Sequence, residues 1–102
     1  MADYVIRVVL HDQASEADYE TLRTQLATRG VVDYVQTTDS KWCRLPPAEF
    51  VYKGPENVTQ VRDAIYTLAT QIKRSTVFVT ISGGSAFLGL EQIAEPVSTV
   101  PS

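Results

Sequence analysis

Residues 3–15 read "DYVIRVVLHDQAS", and the first nine of them decide how the chain is organised. Tyr4, Ile6, Val8 and Leu10 fall on one side of an extended chain, and Val5, Arg7, Val9 and His11 on the other, because successive strand side chains point to opposite faces. The result is a strand with one apolar face and one mixed face. The alternation stops at His11-Asp12, where the only histidine of the chain is followed by a carboxylate. Ser15 then precedes Asp18 by three residues, the spacing of a capped helix start.

Tyr19, Leu22, Leu26 and Arg29 recur at helical spacing, and Gly30 suits the position just past a helix end. "VVDYVQT" (31–37) has the β-branched content of a strand, and "TDSK" (38–41) that of a turn. "WCRLPPAEFVYKG" (42–54) is a second extended segment, in which Pro46 and Pro47 force either a break or a sheet edge. Gly54-Pro55 punctuates, and Asn57 or Thr59 can cap a second helix. Its apolar stripe is Val58, Val61, Ile65, Leu68, Ala69 and Ile72, with Lys73 and Arg74 expected in the last turn. "TVFVTIS" (76–82) is a strand with Val77, Val79 and Ile81 on its inner face. Gly83-Gly84 is expected as a hairpin turn, residues 85–90 as a short final strand and residues 94–102 as a loose tail.

The order β-α-β-β-α-β, with a short extra strand at the end, predicts an α+β fold. Right-handed crossovers place both helices on one face of an antiparallel sheet, the ferredoxin-like sandwich, in a single domain over residues 1–93. The first and fourth strands of that sandwich are neighbours. Val5, Arg7, Val9, Phe78 and Thr80 then share the uncovered face. Such a semi-apolar patch is expected to be an interface, with Val5, Val9 and Phe78 at its centre and a homodimer as the simplest cover.

The 102 residues are 44% hydrophobic and 21% charged, enough apolar surface for one core. Cys43 is the only cysteine, so no internal disulfide can form, which fits a reducing compartment. A free cysteine is most often a small buried hydrophobe. No basic leader precedes an apolar run, and no run is long enough to span a bilayer. A cytoplasmic protein without membrane contact is expected. The net charge of −3 argues against indiscriminate binding to nucleic acid, DNA above all.

Three groups of residues carry candidate chemistry. His11 and Asp12 reach the end of the sheet beside the first helix, whose N-terminus offers N–H groups to an anion. Asp12 could bind a divalent cation such as Mg2+, and no motif demands any other cofactor. His11 could act as a general acid or base near neutral pH. Arg7, Arg29 and Arg44 are the candidate RNA contacts, Arg44 standing near Trp42, Phe50 and Tyr52 in the sequence. Gly83-Gly84-Ser85 lacks the Gly-Lys-Ser/Thr ending of a phosphate-binding loop.

Three segments together, "YVIRVVLHDQASEADYETLRTQLATRG" (4–30), "RLPPAEFVY" (44–52) and "FVTISGGSAFLGLEQI" (78–93), resemble the GhoS-like type V antitoxins. The resemblance implies a ferredoxin-like fold similar to that of the CRISPR-associated adaptation nucleases. It also implies endoribonuclease activity on single-stranded messenger RNA. Asp12 corresponds most nearly to the carboxylate at the end of the first strand, and Arg29 to an RNA contact. Where relatives carry a Leu-His pair in the first helix, this chain reads Leu22-Arg23. Without the resemblance, the open face reads as that of a non-catalytic dimeric binding module.

Overall fold

The computed structural model describes residues 2–82 and 92–96. Along the chain these form β1 (Ala2–Leu10), α1 (Glu16–Ala27), β2 (Tyr34–Gln36), β3 (Trp42–Arg44), β4 (Glu49–Gly54), α2 (Val58–Thr70), β5 (Ser75–Ile81) and β6 (Gln92–Ile93). The fold is α+β. The strands make two three-stranded antiparallel sheets, β4-β1-β5 and β2-β3-β6. This corrects the expectation of one sheet.

The cause of the division is local. Pro46 and Pro47 have no N–H to give to a ladder, and Ala48 then turns the chain at a φ of 68°. The extended stretch 42–54 therefore breaks into β3 and β4. β3 folds back on β2 through a turn in which Ser40 takes a φ of 66°. Of the strand expected over 31–37, only Tyr34–Gln36 pairs continuously. Val32 keeps a separate bridge to Val51 of β4, with N–H···O distances of 3.0 and 2.8 Å in the two directions. That bridge is the seam between the sheets.

β1 lies at the centre of the larger sheet. Its register sets Ile6 opposite Phe50 of β4 and Val79 of β5. Tyr4, Ile6, Val8 and Leu10 are buried, as the alternation requires, against Leu22 and Leu26 of α1 and Val61, Ile65 and Ala69 of α2. Ile6, Val8 and Leu22 are wholly inaccessible, and each such side chain contributes about 1.5–3 kcal/mol relative to exposure. Val77 and Val79 pack against this core. Ile81, expected beside them, is 61% exposed at the strand end. Cys43 is buried and free.

Both helices start as the sequence indicates. The Ser15 hydroxyl accepts from the Asp18 N–H at 3.1 Å, and the Asp18 carboxylate accepts from the Ser15 N–H at 2.9 Å. Asn57 and Gln60 repeat this reciprocal cap on α2. The helix ends differ from expectation. α1 stops at a C-cap at Thr28, so Arg29 and Gly30 lie beyond it, Gly30 at a φ of 79°. α2 is capped at Gln71, which leaves Lys73 and Arg74 on the approach to β5 rather than in the last turn.

A tyrosine pair ties β1 and β4 to the chain before α2. The rings of Tyr4 and Tyr52 stack at 6.3 Å. The Tyr4 hydroxyl donates to the Glu56 carbonyl, and the Tyr52 hydroxyl lies 2.7 and 3.0 Å from the two oxygens of the Glu56 carboxylate. This carboxylate pushes the Tyr52 phenol above its ordinary value. Gly54 makes the close approach possible, since a Cβ there would overlap the Tyr52 ring and the Glu56 carboxylate. The hairpin expected at Gly83-Gly84, the strand at 85–90 and residues 97–102 of the tail lie outside the described residues; residues 94–96 have no helix or strand.

Candidate functional site

His11 and Asp12 stand where β1 ends and the chain turns toward α1. Asp12 and Gln13 both take left-handed conformations, with φ of 59° and 57°. Asp tolerates this region better than most residues. The turn is clipped to the start of β5. The His11 N–H donates to the Arg74 carbonyl at 2.8 Å, and the Arg74 guanidinium grips both Asp12 oxygens at 3.1 and 3.4 Å. The guanidinium beside Asp12 holds its carboxyl below the usual carboxylate range. His11 Nε2 lies 2.7 Å from the Thr76 hydroxyl, the donor being set by the ring tautomer.

This arrangement alters the expected chemistry. Asp12 is already engaged by a cation, and the described residues hold no cluster of three His, Cys, Asp or Glu suited to a metal. Mg2+ prefers six oxygen ligands and usually takes one or two carboxylates together with phosphate oxygens. Among the described residues, no second carboxylate, histidine or cysteine pair joins Asp12 in a set of three. The N-terminus of α1 is no better as an anion site. Its Asp18 N–H is taken by Ser15, and Glu16 and Asp18 already offset its dipole. This corner therefore holds an imidazole beside a hydroxyl, next to a carboxylate and a guanidinium that engage each other.

The three candidate RNA contacts do not converge. Arg7 lies on the open face of the larger sheet, 3.5 Å from Glu49. Arg44, on β3, pairs with Asp33 at 3.8 Å. Its expected aromatic company is dispersed: Phe50 is buried in the core, and Trp42 packs edge-on against Tyr34. Arg29 borders a hollow of about 220 Å3 between the helices, lined also by Leu26, Val31 and Ile65, and makes no salt bridge among the described residues.

The open face is the other candidate. Arg7 is paired across the sheet with Phe78, and Val5 with Thr80 and Val51. Phe78 is 65% exposed. At the seam between the sheets, Val5, Val32, Val35 and Val51 border a hollow of about 500 Å3. The alternation of β1 revealed this face in the sequence. The hollow was hidden because it depends on the Val32–Val51 bridge, which only the fold brings together. Arg74 and Thr76 were missed at the other site for the same reason, lying 62 and 65 positions from their partners.

No helix among the described residues is long and apolar enough to cross a membrane. No protein-family model matches the sequence, no curated protein matches it, and no solved structure matches the fold.

Proposed function

We propose that this protein is a non-catalytic binding module that acts through the open face of the β4-β1-β5 sheet, on a ferredoxin-like arrangement. The strand order supports that arrangement, since β1 lies between β4 and β5 and Val32 extends the sheet beyond β4. On this view the β2-β3 hairpin is the part that has peeled away. The observation that carries the function is Phe78, a phenylalanine 65% exposed in mid-strand and bordered by Val5 and Val9 on the neighbouring strand. An apolar face of this kind on a small sheet is a partner surface.

The test is the size of the native species. In cell extract, after purification or in both, the protein should run larger than its 11.3 kDa monomer, and Phe78→Glu should return it to monomer size with an unchanged circular dichroism spectrum. A monomer in both preparations overturns the reading.

A second reading rests on His11 with Thr76 and Arg74. In it, the protein cleaves single-stranded messenger RNA as a GhoS-like antitoxin. A histidine can take a proton from a ribose hydroxyl while a guanidinium holds the phosphate. The relevant assay is cleavage of a mixed RNA pool, with Mg2+ and with EDTA. His11→Ala should abolish cleavage and Arg74→Ala should weaken it. Equal cleavage by wild type and His11→Ala would remove this site from the reaction. The first reading is favoured because the exposed Phe78 is unaccounted for by the second.

A further inference from the structure

The open face carries charges in a pattern that specifies its partner. Four charged residues surround the Val5–Val51 pair. Register sets Asp3 opposite Lys53 on one side of it and Arg7 opposite Glu49 on the other. β1 therefore reads negative, apolar, positive, while β4 read alongside it gives positive, apolar, negative. The four charges form a rectangle with alternating signs. Within the chain the pairs are loose, at 4.0 and 3.5 Å, and three of the four side chains are more than half exposed. Pairs of this kind add little to the stability of the isolated chain.

An alternating rectangle of charge is complementary to itself. Consider a twofold axis that runs parallel to the strands, between β1 and β4, above the open face. It lays β1 of one copy over β4 of the other. Asp3 then faces the second copy's Lys53, Arg7 faces its Glu49, and Val5 faces its Val51. The same rotation carries β5 toward the Val32 edge, where Thr80 comes level with the second copy's Val32 and the exposed Phe78 lies one residue pair further along, level with its Glu49. We infer that the partner of the open face is a second copy of this chain, stacked sheet on sheet about that axis, with the Val5–Val51 pair at the centre of the contact and Phe78 at its flank.

Other occupants fit less well. A uniformly acidic or basic partner meets like charge at two of the four corners, and like charges brought together across an interface are costly. A purely apolar partner leaves four charges buried without new partners. A second copy satisfies every corner. Sheets stacked in this way lie about 10 Å apart with strands nearly aligned, which a twofold axis along the strands allows. The inference rests on the open-face reading and adds the identity and orientation of the partner.

The experiment exchanges the signs. One variant, Arg7→Glu with Lys53→Glu, makes the rectangle wholly acidic; another, Asp3→Lys with Glu49→Lys, makes it wholly basic. Light scattering after gel filtration of the purified full chain, loaded at roughly 100 μM, should give a dimer for wild type and monomers for each variant alone. An equimolar mixture of the two variants should restore the dimer, and 1 M salt should weaken it. Wild type that stays monomeric when pure but runs large in extract refutes the second copy and leaves the open-face reading standing. A wild-type dimer whose variants remain dimeric, or do not recombine, refutes the geometry. Should the double variants unfold, Arg7→Gln and Glu49→Gln serve instead, and each must weaken dimerisation at least about tenfold.

Discussion

β1 has two faces built on one backbone, and they obey different rules. On the inner face Tyr4, Ile6, Val8 and Leu10 are all at or below 5% exposure, and the surrounding helices leave them no freedom. On the outer face Val5, Arg7 and Val9 meet Phe78, Thr76 and Thr80 across the strand, with charge balanced locally and one large ring in solvent. The inner face is selected by volume, because a packed core resents both vacancy and excess. The outer face is set by pattern, with opposite charges placed side by side across the strands in solvent. Mutations should separate the two cleanly.

The largest effect belongs to the inner face. Ile6→Ala should destabilise the chain by about 2–5 kcal/mol in urea unfolding, since the site is sealed by both flanking strands. Next comes Gly54→Ala, which forces a methyl into the Tyr52–Glu56 contact and should cost about 1–3 kcal/mol. Its near-ultraviolet signal should change as the Tyr4–Tyr52 stack shifts. A neutral Gly54→Ala would show that the tyrosine pair yields easily, and the contrast between the faces would shrink. Phe78→Ser, measured at high dilution, should alter stability by no more than about 0.5 kcal/mol. A large loss there would mean that the ring is part of the core and would break the comparison.

The smallest effect lies at the corner where the faces meet. Arg74 lowers the Asp12 carboxyl, so the folded state holds that proton more weakly than the unfolded chain. The contribution of this pair is present above the ordinary aspartate value near 3.8 and is lost as pH falls through the lower folded value. The pair is exposed, so the expected change is confined to strongly acidic solution and is slight. In Arg74→Ala, carboxyl titration by NMR should move Asp12 upward toward its ordinary range. An unmoved Asp12 would show that another group sets its acidity.

Much of this architecture is legible in the chain, and the parts that are not share a cause. β1 declares itself through strict alternation, and both helix starts through residues that cap within three positions, Ser15 with Asp18 and Asn57 with Gln60. These are local signals. Pro46-Pro47 leaves two outcomes open, a broken strand or an edge, and the turn at Ala48 realises the first. The division into two sheets depends on which neighbours Val32 and Trp42 find, and nothing within a few residues of either records it. The Asp12–Arg74 grip is invisible for the same reason, although each residue stands in plain view at the end of an element. Helix ends were read too long, because Arg29 and Arg74 suit a last turn by charge but lie beyond the caps.

The central position of β1 has a consequence in time. It is the earliest strand of the described chain to be synthesised, yet its hydrogen-bonding partners arrive late. The contact from Tyr4 to Glu56 spans 52 positions, and that from Thr80 back to Val5 spans 75. Until β4 and β5 have emerged, a nine-residue strand with one wholly apolar face has both edges unpaired, the condition under which nascent chains associate wrongly. Arg7 and Asp3 are the charges that interrupt it during that interval. The charges that flank the Val5–Val51 pair in the finished sheet therefore begin as a guard on the unfinished one.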